Sequence, residues 1–398
     1  GTGNDLAIYH DGSNSYIKED GDGSLLIWST GTEVKFLGGA GAETLADFDV
    51  DGACSLYHDN SKKLETTSTG ATVTGAVIAN NTPGRNLIIN GSMQVAQRGT
   101  SSTANGYGSL DRFAVHSGGT DETPTHAQIT LTSSDTGPWG KGFNKALQIT
   151  NGNQTSGAGA ADSIEVQTLL EGQDVLNSGW VETDPNSKLT ISYWAKSSVA
   201  QTFYMRFRAF ASSEYEYTYS VALSANTWTK VTKTIPGNAN FSSLVNTHAK
   251  GLFHSWALFN GTDQTNNKTL DEWAVKDNAN KSPDCTSTWY TTNDATFAIT
   301  GVQLEFGDSA TDFEHKTFGE ELAKCHRYYW KTFQYSVAPA TNLGVADSLH
   351  VAVVSGYNGS YWFNNPMRAE PTLTWYNPSA ANGDSSSGGG CSSSRSTT

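Results

Sequence analysis

The sequence predicts an all-β protein in three segments: an elongated repeat stalk at residues 1–82, a β-sandwich at 83–316, and a short helix with a small β-rich tip at 317–398. Three observations lead to this prediction. Short apolar runs are separated by Gly, Ser, Thr and Asn, which is typical of strands joined by turns. Many of those runs alternate apolar and polar residues with a period of two. At 398 residues the chain is also longer than one hydrophobic core usually organises.

The stalk segment contains one short phrase twice. Tyr9–Ser13 has the sequence YHDGS and Tyr57–Ser61 has YHDNS, 48 residues later. Self-similarity at such a period indicates an array, in which each copy adds one layer to an elongated structure. Short strands are predicted at LAIYH, SYIKE, SLLIW, EVKFL, CSLYH and ATVTGAVIA, each closed by Gly, Asp or Asn.

Large apolar side chains are sparse in the stalk segment. A monomer made of such strands would leave apolar faces bare and sheet edges unpaired. Several copies wound together would remove both defects. We therefore expect residues 1–82 to form an intertwined homotrimer.

The sandwich segment shows the clearest alternation. Three runs each place apolar residues on one face: Leu189, Ile191, Tyr193 and Ala195 in the first, Phe203, Met205 and Phe207 in the second, and Tyr215, Tyr217 and Tyr219 in the third. The runs TWTKVTKTIPG, GLFHSWALFNG and TFAITGVQLEFG continue the pattern. Repeated half-buried strands with essentially no helical window between them indicate an antiparallel β-sandwich.

One helix is predicted, at Thr317–Lys331 with its body at 318–331. Thr317 and Glu320 fit a capping box, and Leu322, Cys325 and Tyr329 share a face. Strands are predicted after it at LHVAVVS, SYWFN and PTLTWY. The final NGDSSSGGGCSSSRSTT has no apolar content with which to fold.

Charge and length exclude several classes of protein. The net charge of −14 argues against binding to nucleic acid or to anionic membranes. No apolar run approaches the roughly 20 residues that span a bilayer, and the given residues contain no charged-then-apolar stretch before a small-residue cleavage site. Because the chain begins at Gly1 inside a repeat, we expect an N-terminal anchor to be missing from it. Cys54, Cys285, Cys325 and Cys391 form no CxxC pattern, which predicts free thiols from a reducing cytosol rather than zinc ligands or disulfides.

Two patterns raise the question of metal binding. Asp47, Asp49 and Asp51 in DFDVDG match the opening of a calcium loop, but the twelfth position is His58 where a Glu is needed. Period-two alternation explains the same residues, with Phe48 and Val50 facing inward, and leaves calcium binding open. In a trimer, His10 and His58 would each lie near the same histidine of the two other copies. Such a cluster would supply at most three ligands to a transition metal. We predict no metal site and no cofactor.

Catalytic signatures are weak. The paired carboxylates Glu214 with Glu216, and Asp271 with Glu272, are interpreted as charges on the solvent side of strands or turns. The sequence has no GxSxG elbow, no phosphate-binding GxxxxGK[ST] loop and no HExxH. The prediction is a protein without enzymatic activity.

Aromatic residues near the C terminus suggest a binding surface. Sugar faces stack on indole and phenol rings, while amides hydrogen-bond the hydroxyls. The candidate glycan-binding residues are Tyr357, Asn358, Tyr361, Trp362, Trp375 and Tyr376. Alternation places about half of these rings in a core, so that Trp362 points inward if Tyr361 points outward.

Several phrases together resemble the tail fibres, or receptor-binding proteins, of tailed bacteriophages, especially marine ones. LAIYHDGSNSYIKE and LYHDNSKKLETTSTGATVTG are similar to their stalk repeats. NLIINGSMQVAQRGTS and ITGVQLEFGDSATDFEHKTFGEELAKCHRYY are similar to the entry and exit of their distal jelly-roll domain, and MRAEPTLTWY to a downstream segment. The resemblance implies a homotrimeric fibre on the virion, made in the host cytoplasm, that joins other tail proteins at its N-terminal side. Its C-terminal head would contact host surface glycan such as lipopolysaccharide or capsule, without membrane insertion.

The function that follows is adsorption to host glycan without catalysis. Three tips on each fibre would raise weak individual affinities through effective concentration. Two alternatives stay open: a tailspike that acts as a glycan depolymerase or esterase, and a head or collar decoration fibre with no receptor role.

Overall fold

A computed structural model describes residues 6–20, 22–75, 84–242, 244–335, 337–341, 365–374 and 376. The chain divides into two compact units, Gly1–Ala79 and Asn80–Thr398. Both consist mostly of antiparallel sheet, as predicted. The finer division into segments ending at residues 82 and 316 stays a prediction.

The first unit contains a hairpin and a five-stranded sheet. Strands β1 (Leu6–His10) and β2 (Ser15–Glu19) form the hairpin. The sheet has the order β3-β4-β5-β6-β7 and consists of β3 (Glu33–Gly38), β4 (Glu43–Asp49), β5 (Cys54–His58), β6 (Ser61–Thr67) and β7 (Gly70–Val73). The strands β4 and β6 were not among the predicted strands, although alternation was noted at Asp47–Asp49 in β4; in β6, lysine and glutamate residues interrupt the apolar alternation.

The predicted strand SLLIW does not form. Leu26, Ile27 and Trp28 have high strand propensity, yet their exposed fractions are 84%, 63% and 89%. A strand needs a neighbour for its backbone hydrogen bonds, and this segment has none among the described residues.

Both copies of the repeated phrase form the first strand and the turn of a hairpin. In the first copy, the Oδ1 of Asp11 accepts hydrogen bonds from the backbone amides of Ser13 and Asn14 at 2.8 and 2.7 Å, across a four-residue loop. In the second copy a two-residue loop suffices, because Asp59 and Asn60 have φ values of 50° and 56°. Asn and Asp tolerate this left-handed region, which the tight hairpin turn requires. The phrase therefore encodes a strand together with its reversal.

The five-stranded sheet is amphipathic. Its cross-strand register places Phe36 opposite Ala46, Ala46 opposite Leu56, Leu56 opposite Leu64, and Leu64 opposite Val73. We call this side, together with Val34, Phe48, Cys54 and Ala71, the apolar stalk face. The other side carries Lys35, Asp47, Ser55, Glu65 and Thr72 in the corresponding row.

Nothing in the described part of the first unit covers the apolar stalk face. Phe36 and Phe48 lie edge to face with ring centres 5.9 Å apart, yet they are 48% and 42% exposed. Within residues 6–20 and 22–75 the only buried side chains are the polar Asp47 and Ser55. This part of the chain consequently has sheet structure without an apolar core.

The second unit is built around two six-stranded sheets. The first sheet has the order β16-β13-β19-β11-β10-β8, and the second has the order β18-β15-β14-β17-β12-β9. The strands are β8 (Ser101–Ser102), β9 (Phe113–Gly118), β10 (Thr125–Thr130), β11 (Lys145–Thr150), β12 (Ser163–Glu171), β13 (Lys188–Ser197), β14 (Gln201–Phe210), β15 (Glu214–Leu223), β16 (Thr229–Pro236), β17 (Lys250–Asn260), β18 (Trp273–Val275) and β19 (Thr296–Phe306). One apolar core includes side chains from both sheets, so they form a sandwich.

The apolar residues that alternate in the sequence form the inner faces of the two sandwich sheets. Leu189, Ile191, Tyr193 and Ala195 on β13 are at most 1% exposed, as are Phe203, Met205 and Phe207 on β14. Tyr217 and Tyr219 on β15 are also buried. Both faces of β17 are buried, since even its outward Phe253 is only 4% exposed.

A polar chain crosses this core. The hydroxyls of Tyr193 and Tyr219 lie 3.3 Å apart, and the Tyr219 hydroxyl lies 2.9 Å from the Nε2 of His254. Burial lowers the pKa of His254 to about 3. The imidazole is therefore neutral at physiological pH, and its ring packs edge to face against Trp256.

The segment that enters the sandwich, NLIINGSMQVAQ, forms a buried irregular loop rather than a strand. Asn90 is fully buried with φ of 62°, and its side-chain amide bonds Val95 and Asp111. The next residue, Gly91, approaches the carbonyl oxygen of Val302 so closely that a Cβ would lie 2.0 Å from it. Hydrogen bonds from side chains replace the missing sheet ladder here.

Three short α-helices and three single-turn 3₁₀ helices complete the described fold, and the α-helices are α1 (Gly172–Leu176), α2 (Thr288–Thr291) and α3 (Phe318–His326). The predicted capping box at the start of α3 is present, because Thr317 and Glu320 bond each other's backbone amides. The predicted end at Lys331 is wrong. Of the predicted apolar face, Cys325 is buried, Leu322 is half-buried, and Tyr329 lies beyond the helix.

The helix ends early because the following side chains bind the sandwich. Arg327 donates from Nε and Nη2 to both carboxylate oxygens of Glu171, at 2.8 and 2.7 Å. The Tyr328 hydroxyl donates to the same carboxylate at 2.6 Å. Burial would raise the pKa of Glu171, but these partners hold it below its ordinary value.

Beyond the helix only short stretches are described. The predicted strands LHVAVVS and SYWFN lie outside the described residues. Pro371–Thr374 is irregular rather than a strand. In the ranges that the structure covers, no helix is long and apolar enough to cross a membrane, and Cys54, Cys285 and Cys325 are free thiols.

Candidate functional site

The predicted aromatic platform lies almost wholly beyond the described residues. The described residues do not include Tyr357, Asn358, Tyr361, Trp362 and Trp375. Tyr376 is half-buried, and its ring lies edge to face with Phe333 at a centre-to-centre distance of 5.5 Å. For this one residue the observed role is packing.

A cleft of about 290 Å³ lies on the outer face of the second sandwich sheet. The strands β12, β14, β15 and β17 supply most of its lining, and the segment after β18 adds the rest. The lining residues are Glu165, Gln167, Leu169, Arg206, Arg208, Phe210, Glu214, Lys250, Phe253, Asn278 and Lys281. We call it the sheet cleft.

Arg206 forms the floor of the sheet cleft and is neutralised by two carboxylates. Its Nη2 donates to Glu165 at 2.7 Å and its Nη1 donates to Glu216 at 3.2 Å. The guanidinium also lies 5.4 Å from the ring centre of Phe253. Burial would raise the pKa of Glu165, but Arg206 and hydrogen bonds lower it overall, so this carboxylate stays ionised.

The wall of the cleft combines a ring with two cations. The guanidinium of Arg208 lies 4.9 Å from the ring centre of Phe210, and the Nζ of Lys250 lies 5.7 Å from it. Arg208 is ion-paired with Glu214, a carboxylate that also lies 3.7 Å from the Nζ of Lys276. The Nε of Arg208 is buried and has no hydrogen-bond partner among the described residues.

Lys281 reaches the cleft from the segment after β18. Its Nζ donates to the side-chain oxygen of Gln264 at 2.5 Å. Burial and the nearby Arg206 lower its pKa, while Glu165 and Glu216 oppose this. The lysine is therefore a partly desolvated cation beside an arginine.

The sequence predicted that Glu214 and Glu216 both lie on the solvent side of their strand, and for Glu216 this prediction is wrong. Glu216 is fully buried against Arg206, and one of its oxygens has no partner in the described structure. Glu214 is partly exposed and paired with Arg208. Asp271 is exposed and lies 2.6 Å from the Nζ of Lys233, and Glu272 is exposed too.

The aspartates of DFDVDG do not converge. The Oδ2 of Asp47 accepts a hydrogen bond from the Tyr57 hydroxyl at 2.7 Å, and Asp47 is buried although solvent exposure was expected. Phe48 and Val50, expected inside, are 42% and 58% exposed. Within the described ranges no group of three or more His, Cys, Asp and Glu could hold a metal ion.

Of the residues in and around the sheet cleft, sequence reasoning singled out only Glu214 and Glu216. Period-two alternation also puts Arg206 and Arg208 on the face of β14 opposite to Phe203, Met205 and Phe207, but it does not show what lies beside them. Strand order was the missing information, because β12 and β17 are far away in sequence and bring Glu165, Lys250 and Phe253 to the same face.

Comparison with known proteins gives weak similarities. No protein-family model matches the chain, and no curated protein matches it in sequence. Tailspike protein 4 of bacteriophage CBA120, in its enzymatically active domain, is 11% identical with a TM-score of 0.31, and the match covers 57% of this chain. The chain spans only 22% of that structure.

Several carbohydrate-binding proteins are similar to the same degree. A putative sugar-binding protein from Bacteroides thetaiotaomicron is 11% identical over 56% of this chain and 100% of its own, with a TM-score of 0.30. The N-terminal cellulose-binding domain of Cellulomonas fimi β-1,4-glucanase C is 14% identical over 54% and 100%, with a TM-score of 0.26. None of these values identifies a family.

Proposed function

We propose that this chain is a virion tail-fibre protein that forms a homotrimer and binds host surface glycan for adsorption, without catalysis. The observation that carries the glycan-binding part is the sheet cleft. It presents the half-buried ring of Phe210 beside charged and amide side chains on the sheet, with the buried Phe253 beneath. Sugars bind to such surfaces by stacking on rings and by hydrogen bonds to polar groups.

The apolar stalk face supports assembly with further copies of the same chain. Phe36, Phe48, Leu56 and Val73 are exposed and the rest of the large apolar side chains on this face are only half-buried, although together they form a continuous apolar row across five strands. Exposed apolar patches of this kind indicate a protein surface that is covered by a partner. A copy of the chain offers the same surface, and burial of Phe36, Phe48 and Leu56 between copies would supply the core that the unit lacks.

Binding without turnover agrees with the electrostatics of the cleft. Hydrolysis of a glycosidic bond needs one carboxyl group with a raised pKa as the acid. The pKa of Glu165 is lowered, and both Glu165 and Glu216 are occupied by the guanidinium of Arg206. A depolymerase would have to use groups elsewhere.

Binding of the full chain to an array of bacterial surface glycans tests the proposal. Phe210→Ala should weaken binding to the strongest ligand about tenfold, because a stacking ring is lost from the cleft wall. Trp139→Ala is the matched control, since Trp139 is 43% exposed and does not line the cleft. We expect its affinity to be unchanged.

Three results would contradict the proposal. Loss of binding in Trp362→Ala with unchanged binding in Phe210→Ala would place the site at the C-terminal tip instead of in the cleft. Shortening of the bound glycan on prolonged incubation would show catalysis. No binding to any glycan would leave the decoration-fibre alternative.

A further inference from the structure

We propose that the sheet cleft selects anionic oligosaccharides, whose carboxylate or phosphate groups bind between Arg208, Lys250 and Lys281. This rests on the proposed glycan binding and assigns the class of glycan. The selectivity for anions would come from the cationic side chains that have no carboxylate partner in the cleft. Stacking on Phe210 would contribute equally to the binding of neutral and acidic sugars.

The cleft contains more positive charge than its own carboxylates neutralise. The cleft is lined by four cationic side chains, Arg206, Arg208, Lys250 and Lys281, and by two carboxylates, Glu165 and Glu214. A third carboxylate, Glu216, binds Arg206 from behind the floor. Glu165 and Glu216 form ion pairs with Arg206, and Glu214 forms ion pairs with Arg208 and Lys276. Lys250 and Lys281 form no ion pair with any described carboxylate. The cleft is thus locally cationic in a chain of net charge −14.

The geometry of the unpaired donors suits an anion. The Nε of Arg208 is buried without a hydrogen-bond partner in the described structure, and the guanidinium carbon lies 4.9 Å from the ring centre of Phe210. Lys250 approaches the same ring and is exposed. A sugar lying on Phe210 would place its acidic substituent within reach of both cations, and charge-assisted hydrogen bonds to such groups are the stronger ones.

The environment of Lys281 points the same way. Burial and Arg206 lower the pKa of Lys281, so two cations repel each other at the inner end of the cleft. A bound anion would offset this repulsion by placing negative charge between the lysine and the arginine. A neutral ligand would not.

Matched ligand pairs test the proposal on the full chain. The first pair is an oligogalacturonate and the same oligosaccharide with its carboxyl groups reduced to alcohols. The second pair is a mannose oligosaccharide with a terminal 6-phosphate and its dephosphorylated form. We expect the acidic member of at least one pair to bind about tenfold more tightly, which corresponds to one charge-assisted hydrogen bond. The pair that shows the preference identifies the anionic group.

Variants connect the preference to the cleft. Lys250→Gln should reduce the ratio of the affinities for the acidic and the neutral ligand about threefold. The double variant Lys250→Gln/Lys281→Gln should bring this ratio close to one. Lys250 is exposed and unpaired, so the single variant is expected to fold. Lys230→Gln is the control, since Lys230 is exposed on β16 in the other sheet. Its ratio should equal that of the wild type.

The outcomes separate this inference from the proposed function. Equal binding of acidic and neutral members overturns the anion selectivity and leaves glycan binding standing. A preference that Lys250→Gln and Lys230→Gln lower equally also overturns it, because the effect then comes from overall charge. Binding of no member, together with no binding on the glycan array, overturns both.

Discussion

Replacement of Arg206 by Met is expected to lower the free energy of unfolding of the second unit by about 3–5 kcal/mol. The Arg206 side chain is 7% exposed, and its partners Glu165 and Glu216 are 12% and 1% exposed. Met fills a similar volume, so the loss comes from two buried carboxylates left without a cation. Such groups must either remain charged in a poorly solvated site or take up protons.

Urea unfolding followed by tryptophan fluorescence measures this effect. The matched control is Arg208→Met on the same strand, since Arg208 and Glu214 are 22% and 33% exposed and their pairing should contribute no more than about 1 kcal/mol. Adding Glu165→Gln and Glu216→Gln to Arg206→Met should restore at least half of the lost stability. Equal effects of the two arginine changes would show that Arg206 is not the electrostatic centre of this face.

Replacement of Asn90 by Ala is expected to cost about 3–4 kcal/mol. The side-chain amide donates to the carbonyl oxygens of Val95 and Asp111 at 2.8 and 2.9 Å and accepts from the amide of Val95 at 2.8 Å. Each lost bond in a buried site contributes about 1 kcal/mol. The φ of 62° adds a further cost of about 1 kcal/mol for Ala.

The variant Asn90→Gly separates the two contributions, because Gly adopts positive φ without strain. It should be more stable than Asn90→Ala by about 1 kcal/mol and less stable than the wild type by about 3 kcal/mol. Equal stability of Asn90→Gly and the wild type in urea unfolding would mean that the amide does not hold the entry loop in place.

The inner faces of the sandwich could be predicted from the sequence because alternation is a local property. In a strand, Leu189 and Ile191 point to the same side whatever lies next to them. The helix start was equally local, since Thr317 and Glu320 are three residues apart and bond each other. Its end was not, because Arg327 leaves the helix to bind Glu171, which is far away in sequence.

The candidate site depended on strand order, which no local pattern reveals. Glu165 on β12 resembles any outward carboxylate of a half-buried strand until the strand order β14-β17-β12 brings Arg206 beside it. The segment SLLIW has the composition of a strand. The exposure of its Trp28 follows from the absence of a pairing strand among the described residues. The aromatic candidates near the C terminus remain a prediction, apart from Tyr376, which packs against Phe333.

The mass of the intact chain in solution, measured by sedimentation equilibrium, tests the central claim most directly. That claim is that the apolar stalk face, with Phe36, Phe48 and Leu56 exposed in a single chain, is covered by sister copies. We predict a single species with three times the mass of one chain across a wide range of concentration. A stable species with the mass of one chain over the same range would contradict the account.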